Sequence, residues 1–228
     1  MVGILFDFNG TLFADSVKQS IAWQHMAKKY SGRELTDEEL REHMGGRTNE
    51  HTLEYIVGHQ LSAGEVDQLS KEKEREYRLL CKDDELNFHL RRGVPEFLSA
   101  LIAADIPIAL ATASGRDNVD FFVDNFGLDK WFDEKHIVYN DGSLRGKPNP
   151  DFFVEAAKRI DLPTAQTVVF EDSSSGIAAA ENAGAGWIVG VRTNDNWRWV
   201  EKDKRLSAVI SHFTDDNPFL ETQYLLDL

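Results

Sequence analysis

Residues 2–12, VGILFDFNGTL, are the stretch of the chain that decides the fold. The apolar and β-branched residues at its start predict a buried strand, and this strand stops at Asp7. Residues 167–177, TVVFEDSSSGI, repeat the arrangement, because a second buried strand stops at the adjacent acids Glu171 and Asp172. Ligands gather at the carboxyl ends of parallel strands. If the two strands lie in one sheet, the three carboxylates therefore meet.

Length, charge and cysteine content narrow the class of protein. With 228 residues, the chain can bury a substantial core and hold one large domain or a core with a smaller insertion. Its single cysteine, Cys81, excludes an internal disulfide framework and suits a reducing compartment. A formal net charge of −14 argues against binding to a nucleic-acid backbone. No segment has the pattern of a bilayer span or a secretion signal, so we expect a cytoplasmic monomer without membrane contact.

The order of the predicted elements indicates an α/β fold. From Gly93 onward, predicted strands alternate with predicted helices, which favours right-handed crossovers and a mostly parallel sheet. The predicted strands are 106–112, 137–139, 167–171, 187–191 and 208–211. The predicted helices are 95–104, 117–127, 150–160 and 176–184, followed by a helical tail.

The segment before this alternation is predicted to be helical throughout. Thr36 followed by Glu39, and Ser62 followed by Glu65, have the spacing of capping boxes, in which each side chain binds a free amide of the first helical turn. No strong strand signal interrupts the segment.

These patterns predict two domains. Residues 1–15 and 89–228 would form the α/β core, and residues 16–88 would form an inserted, all-helical cap domain. An insertion directly after the first strand places the cap above the carboxyl end of that strand. Asp7 would then lie beneath the cap.

Hydroxyl groups follow the predicted strand 106–112. Thr112 and Ser114 lie at its end, and Gly115 opens the next helix. Hydroxyls together with free helix-start amides suit a phosphate oxygen, although an ordinary N-cap explains Ser114 equally well.

A lysine lies in a segment that proline makes rigid. Lys147 precedes Pro148, and Asn149 followed by Pro150 predicts an N-cap with proline in the first helical position. Lys147 would therefore be held at a fixed place, whereas most lysines are solvated.

The carboxylates suggest metal chemistry. Two adjacent acids at the end of a buried strand are costly unless a cation neutralises them, and Mg²⁺ bound by carboxylate oxygens does so. An N-cap at Asp172 or Ser173 is the competing interpretation, but it does not explain both acids. Asp7 is a candidate nucleophile or metal ligand, although the Asn-Gly pair that follows it also suits a β-hairpin.

The four segments, taken together and in this order, resemble the haloacid dehalogenase superfamily. The resemblance is to its phosphatase and β-phosphoglucomutase-like members, which carry a helical cap after the first strand, and it spans about residues 2–193. It implies a Rossmann-like parallel sheet core flanked by helices. It also implies that Asp7 attacks the phosphorus of a small phosphorylated metabolite, forming an aspartyl-phosphate that water hydrolyses.

The resemblance assigns the other site residues by position. Thr112 and Lys147 would hold the transferring phosphoryl group, whose reaction depends on positioning and charge neutralisation. Mg²⁺ would be held by Asp7, the backbone carbonyl of Asn9, Asp172 and, directly or through another ligand, Glu171. The substrate would also contact Gly10, Thr11, Ala113 and Ser114 from the core, and Arg47 and Lys73 from the cap.

Asn9 departs from the family pattern. Family phosphatases have a second aspartate here, which protonates the leaving alcohol and then activates water. The Asn9 side chain does neither, and such assistance is worth about 10²–10⁴ in rate. Three explanations remain open: a slow or specialised phosphatase, a catalytically silent phospho-ligand or partner-binding protein, or a chain altered at residue 9 to trap the aspartyl-phosphate.

Relatives with other chemistry fit less well. Dehalogenases use no metal, and phosphonoacetaldehyde hydrolases have a Schiff-base lysine where this chain has Thr48, although Lys73 lies elsewhere in the cap. Compared with β-phosphoglucomutase, Asn49 replaces the cap arginine that binds the distal phosphate, Gln19 replaces a histidine, and Lys73 is retained. A mutase holds two phosphates, so this pattern favours a phosphatase.

Overall fold

Six parallel strands form one sheet within residues 2–194 and 196–228, which the computed structural model describes. Residues 1 and 195 of the predicted core domain lie outside the described residues. The strand order is β3-β2-β1-β4-β5-β6. The strands are β1 Gly3–Phe6, β2 Ile108–Gly115, β3 Ile137–Asn140, β4 Thr167–Glu171, β5 Trp187–Val191 and β6 Ala208–Ile210.

Helices precede, separate and follow the later strands. Those between β1 and β2 are α1 Ser16–Ser31, α2 Asp37–His43, α3 Asn49–Val57, α4 Ala63–Asp83 and α5 Val94–Ala103. Those that follow β2 are α6 Arg116–Phe126, α7 Asp151–Arg159, α8 Ser174–Asn182 and α9 Thr222–Asp227. The prediction of an α/β fold with a parallel sheet is confirmed. Among the described residues, no helix has the length and apolar character that crossing a membrane requires.

The central strand β1 is buried on both faces, as its uninterrupted apolar sequence requires. Ile4 and Phe6 point into one hydrophobic cluster, and Leu5 points into another on the opposite face. Phe6 stacks on Phe170 of β4, with ring centroids 5.2 Å apart. Burial on both faces fixes the position of β1, and with it the residues that follow its carboxyl end.

Helices α1 to α4 have a hydrophobic cluster of their own. Trp23 and Met26 of α1 pack with Leu53 and Ile56 of α3, and all four side chains are buried. Both predicted capping boxes are confirmed, at the starts of α2 and α4. The division of the chain at residues 16 and 88 stays a prediction.

The two segments that join this helical region to the core lie side by side. Phe13 and Leu90 form an isolated antiparallel bridge, and the Arg91 amide donates to the Leu12 carbonyl at 2.8 Å. The Arg91 guanidinium also donates to the Gly10 carbonyl, through Nε at 3.0 Å and Nη2 at 2.7 Å. The entry and exit of the helical region are therefore fixed against the turn that follows β1.

The predicted N-cap at Asn149 is wrong. Asn149 Nδ2 donates to the Gly146 carbonyl at 2.9 Å, and Pro150 occupies the N-cap position of α7 without a side-chain cap. The local turn binds the Asn149 side chain before the helix begins. Gly115 was predicted to open the helix after the strand. It is the N-cap of α6, and it is also the last residue of β2.

Candidate active site at the carboxyl edge of the sheet

Strand register brings the acidic residues together. Phe6 of β1 pairs with Phe170 of β4, so Asp7 and the acids after Phe170 leave the sheet side by side. Oxygen atoms of Asp7, Glu171 and Asp172 all lie within 4.8 Å of one another. The predicted meeting of the three carboxylates is observed.

Lys147 lies between two of these acids. Its Nζ is 2.7 Å from Asp7 Oδ1 and 2.7 Å from Glu171 Oε1, and its side chain is fully buried. The second Glu171 oxygen, Oε2, accepts from the Ser173 amide at 2.6 Å and from its hydroxyl at 3.0 Å. Glu171 therefore uses both oxygens to hold protein groups.

The cluster has more carboxylates than cations, and the pKa values of its members are shifted from their usual ranges. Burial raises the pKa of Asp7, with Lys147 opposing the rise and Glu171 adding to it. Burial and the charges of Glu171 and Asp7 raise the pKa of Asp172 well above its usual range. Burial lowers the pKa of Lys147, but Asp7 and Glu171 outweigh it and the net shift is upward. Lys147 is therefore cationic, and one more cation would relieve the remaining repulsion.

Two glycines make room for the acids. Gly10 has φ +82°, and a Cβ there would overlap the Asp172 carboxylate. A Cβ at Gly176 would overlap the Glu171 carboxylate. The backbone is thus closed around both carboxylates, which no larger side chain would permit.

Asn9 is fixed by hydrogen bonds on both sides of its amide. Nδ2 donates to Asp15 Oδ2 at 2.6 Å and to Tyr77 Oη at 3.2 Å. Oδ1 accepts from Ser114 Oγ at 2.8 Å and from Thr112 Oγ1 at 3.4 Å. Thr112 and Ser114, whose hydroxyls were predicted to bind a phosphate oxygen, thus both donate to the Asn9 side chain.

Asp15 and Tyr77 belong to the site but carry no signal in the sequence that predicted them. Both are fully buried, and Tyr77 Oη donates to Asp15 Oδ2 at 2.5 Å. Asp15 Oδ1 accepts from the Gly10 amide at 2.8 Å, and burial raises the Asp15 pKa although these hydrogen bonds oppose the rise. An aspartate directly before a helix resembles an ordinary N-cap, but this side chain makes no cap hydrogen bond. Nothing local in the sequence distinguishes the two cases.

A cavity of about 380 Å³ lies over the acidic cluster. Core residues form its floor, and residues from α1 to α4 and the turn before α3 form its opposite wall. The predicted site residues on its surface are Asp7, Asn9, Gly10, Arg47, Lys73, Thr112, Ala113, Ser114 and Asp172. Thr11 is fully buried, and its hydroxyl donates to Asp172 Oδ1 at 3.3 Å. Thr11 therefore supports an acid of the site, and its contact with substrate stays a prediction.

Comparison with known families identifies the fold. Residues 4–189 match the haloacid dehalogenase-like hydrolases. The chain belongs to this family. The sequence-based prediction of the superfamily, and of a hydrolase, is confirmed.

Two phosphatases and a mutase are among the relatives of this chain. The chain is 28% identical to a phosphorylated carbohydrates phosphatase of Thermotoga maritima, over 84% of this chain and 85% of that protein. It is 27% identical to a β-phosphoglucomutase of Bacillus subtilis, over 84% of this chain and 83% of that protein. A chloroplastic 5-amino-6-(5-phospho-D-ribitylamino)uracil phosphatase of Arabidopsis thaliana is 26% identical over 79% of this chain, which spans 47% of that longer protein. These relatives act on small phosphorylated compounds and support a phosphatase.

A solved structure matches the whole chain. A haloacid dehalogenase hydrolase of family IA, variant 3, from Entamoeba histolytica superposes with a TM-score of 0.85 at 31% identity. The match covers 99% of this chain and 100% of that one. The predicted combination of a Rossmann-like core with an inserted cap is confirmed at the level of the fold.

Proposed function

We propose that the protein is a Mg²⁺-dependent phosphatase that hydrolyses a small phosphorylated metabolite, such as a sugar phosphate, through an aspartyl-phosphate on Asp7. One observation carries the proposal. Asp7 lies on the floor of the cavity, with the buried cation Lys147 at 2.7 Å and Asp172 beside it. A nucleophilic carboxylate and fixed positive charge are what phosphoryl transfer requires.

The acidic cluster fits a divalent cation. Burial and mutual repulsion raise the pKa values of Asp7 and Asp172, so a bound divalent cation would stabilise their charged forms, and oxygen ligands suit Mg²⁺. Asp7, Asp172 and the Asn9 carbonyl would hold the ion. Glu171 has both oxygens occupied by Lys147 and Ser173, so we assign it to positioning Lys147. When bound, Mg²⁺ supplies positive charge that offsets the negative charge of the phosphoryl oxygens.

The protein groups then divide the reaction between them. An Asp7 oxygen attacks phosphorus while the bond from phosphorus to the leaving oxygen breaks, and a leaving alkoxide takes its proton from water. Water then attacks the aspartyl-phosphate, which releases inorganic phosphate and regenerates Asp7. Lys147 favours the ionised form of Asp7 against the effect of burial, and it offsets the negative charge of the phosphoryl group. Thr112 and Ser114 donate from the opposite side, and on substrate binding their hydroxyls exchange Asn9 for phosphate oxygens. The cap wall limits access of bulk water to the cavity.

The dependence of the rate on the leaving group should reveal that residue 9 supplies no acid. A phenolate leaves without a proton, whereas an alkoxide does not, so we expect p-nitrophenyl phosphate to be hydrolysed about 10²–10⁴ faster than a sugar phosphate. Turnover of both compounds with Mg²⁺ and with EDTA measures this. Equal rates for the two leaving groups would contradict the account.

The nucleophile has a direct test. We expect Asp7→Asn to abolish turnover of p-nitrophenyl phosphate, with Asp105→Asn as the matched control. Asp105 is exposed in the turn between α5 and β2, away from the cavity, and should leave turnover unchanged. Mg²⁺-dependent turnover that persists in the Asp7→Asn variant would remove Asp7 as nucleophile.

Asn9 also favours a second candidate, a silent protein that binds a phosphorylated ligand. The amide is satisfied on both sides, by Asp15 and by Ser114, so the site is complete without an acid. Binding of inorganic phosphate or a sugar phosphate, with no release of phosphate from any aryl ester, would favour this candidate.

A further inference from the structure

The cap wall of the cavity holds one buried cation, Lys73 of α4, and this cation is already engaged. Its side chain is 3% exposed. Nζ donates to Gln19 Oε1 at 2.6 Å and to Glu74 Oε1 at 2.9 Å. Nζ also lies 4.6 Å from the centroid of the Trp23 ring, within cation-π range. The Tyr77 ring lies at 5.2 Å as well, so the Lys73 ammonium is held by two hydrogen bonds and two aromatic rings.

Glu74 is held in place independently of Lys73. Asn49 of α3 donates to Oε1 at 2.8 Å, and Asn118 of α6 donates to Oε2 at 2.6 Å. Burial alone would raise the pKa of Glu74, but Lys73 and the two amides outweigh it and the pKa is lowered. Glu74 is therefore a fixed carboxylate on the cavity wall, and Lys73 together with Glu74 carries no net charge.

We propose that Glu74 makes the enzyme select phosphate monoesters whose other end is polar but uncharged, by pairing with the buried Lys73 that would otherwise be available to a second phosphate. The inference rests on the proposed function, because it concerns the substrate of the same site. A second phosphate would have to displace Glu74 from Lys73 and would leave a carboxylate beside an anion, which is unfavourable. A hydroxyl group can instead donate to a Glu74 carboxylate oxygen or to the Asn49 amide oxygen on the cavity wall, and the ion pair with Lys73 stays intact.

Arg47 does not provide a positive charge for the end of the substrate that lies away from the transferred phosphoryl group. Its Nε and Nη1 donate to the backbone carbonyls of Glu42 and Lys147, both at 3.2 Å. The guanidinium is thereby held beside the core segment that carries Lys147. We therefore expect Arg47 to add to the positive charge around the transferred phosphoryl group.

Equilibrium binding tests the inference without turnover. In the Asp7→Asn background with Mg²⁺ present, calorimetry compares fructose 6-phosphate with fructose 1,6-bisphosphate. We expect the monophosphate to bind at least about tenfold more tightly, and Glu74→Gln to shift this ratio toward the bisphosphate by about tenfold or more. The double variant with Glu74→Gln and Lys73→Met should show no such shift, because the shift requires the Lys73 ammonium that Glu74→Gln releases.

Asp37→Asn is the matched control. Asp37 lines the same cavity, so the substitution removes an equal charge without touching Lys73. An unchanged ratio in this variant supports the inference, and a shift as large as that of Glu74→Gln overturns it. Tighter binding of the bisphosphate to the chain that keeps Glu74 also overturns it, whether or not the Glu74→Gln variant folds.

The proposed function fails by a different observation. If the chain with Asp7 intact releases no phosphate from p-nitrophenyl phosphate with or without Mg²⁺, the phosphatase is contradicted. The two binding constants remain measurable, so selection by Glu74 stands or falls separately.

Discussion

Residue 9 is adapted to an amide. Asn9 Nδ2 lies 2.6 Å from Asp15 Oδ2, so an aspartate at residue 9 would bring two carboxylate oxygens into contact. Two carboxylates at such a distance share a proton, and one pKa is strongly raised. A return to the usual family residue therefore changes Asp15 as well as residue 9.

Exchanging the two side chains separates these effects. We expect Asn9→Asp to raise turnover of a sugar phosphate at least about tenfold, because an acid then faces the leaving oxygen. We expect a larger gain from Asn9→Asp combined with Asp15→Asn, which places the acid at residue 9 and keeps one amide against one carboxylate. The measurement is kcat for a sugar phosphate.

Asp15→Asn alone is the control and should give no gain, since it adds no acid at residue 9. No gain in either variant with Asp at residue 9, with folding and Mg²⁺ binding intact, would show that the missing acid does not limit the rate.

The cap meets the core through a short turn before α3. Ser175 Oγ of α8 donates to the Gly45 carbonyl at 2.5 Å. Gly46 has φ +69°, and a Cβ there would lie 2.5 Å from Ser175 Oγ and 2.6 Å from Ser173 Oγ. The contact between cap and core at this turn thus depends on the absence of a side chain.

Two glycine substitutions isolate that contact. Gly58→Ala adds a Cβ at φ +78° with nothing within 4 Å, whereas Gly46→Ala adds one against α8. We expect both to lower the free energy of unfolding by about 1 kcal/mol, because alanine is strained at positive φ. Only Gly46→Ala should lower kcat/KM, by about tenfold or more, since the cap is pushed from the core. Thermal unfolding and p-nitrophenyl phosphate kinetics measure the two effects, and equal kinetics would contradict the role of the turn.

Individual elements show how far the sequence predicts the structure. Strand β4 begins and ends as predicted, because its apolar run is bounded by a polar turn on one side and by acids on the other. Asn149 was assigned to a cap that does not form, since a nearer carbonyl accepts its side chain. The network of Asp15 and Tyr77 was not predictable, because its members are 62 residues apart and meet only when the cap packs on the core.

At the scale of the whole molecule, the proposed function implies that protons and Mg²⁺ compete for the same carboxylates. The pKa values of Asp7 and Asp172 are raised in the folded protein. The metal-free protein therefore loses stability as pH rises from the usual carboxyl range through these raised values, because burial disfavours the charged forms and they repel one another. Bound Mg²⁺ would offset that repulsion, so its stabilising effect should grow with pH.

We expect the Mg²⁺ affinity to weaken by at least about tenfold between pH 8 and pH 6, since protonated carboxyls bind no metal. The rise in Tm on replacing EDTA with Mg²⁺ should be larger at pH 8 than at pH 6. Asp172→Asn should raise the Tm in EDTA and remove most of the Mg²⁺ effect. A Tm response to Mg²⁺ that is independent of pH would contradict a site built from these acids.

The paired segments at Phe13 and Leu90 have a consequence for the history of the chain. The chain leaves the core and returns to it at adjacent positions. The geometry of the sheet at this point therefore does not depend on the segment that is inserted there. The inserted helices can therefore be lengthened, shortened or exchanged without changing the order of the strands in the sheet. Selection can therefore change which molecules are admitted while the chemistry at phosphorus is inherited unaltered.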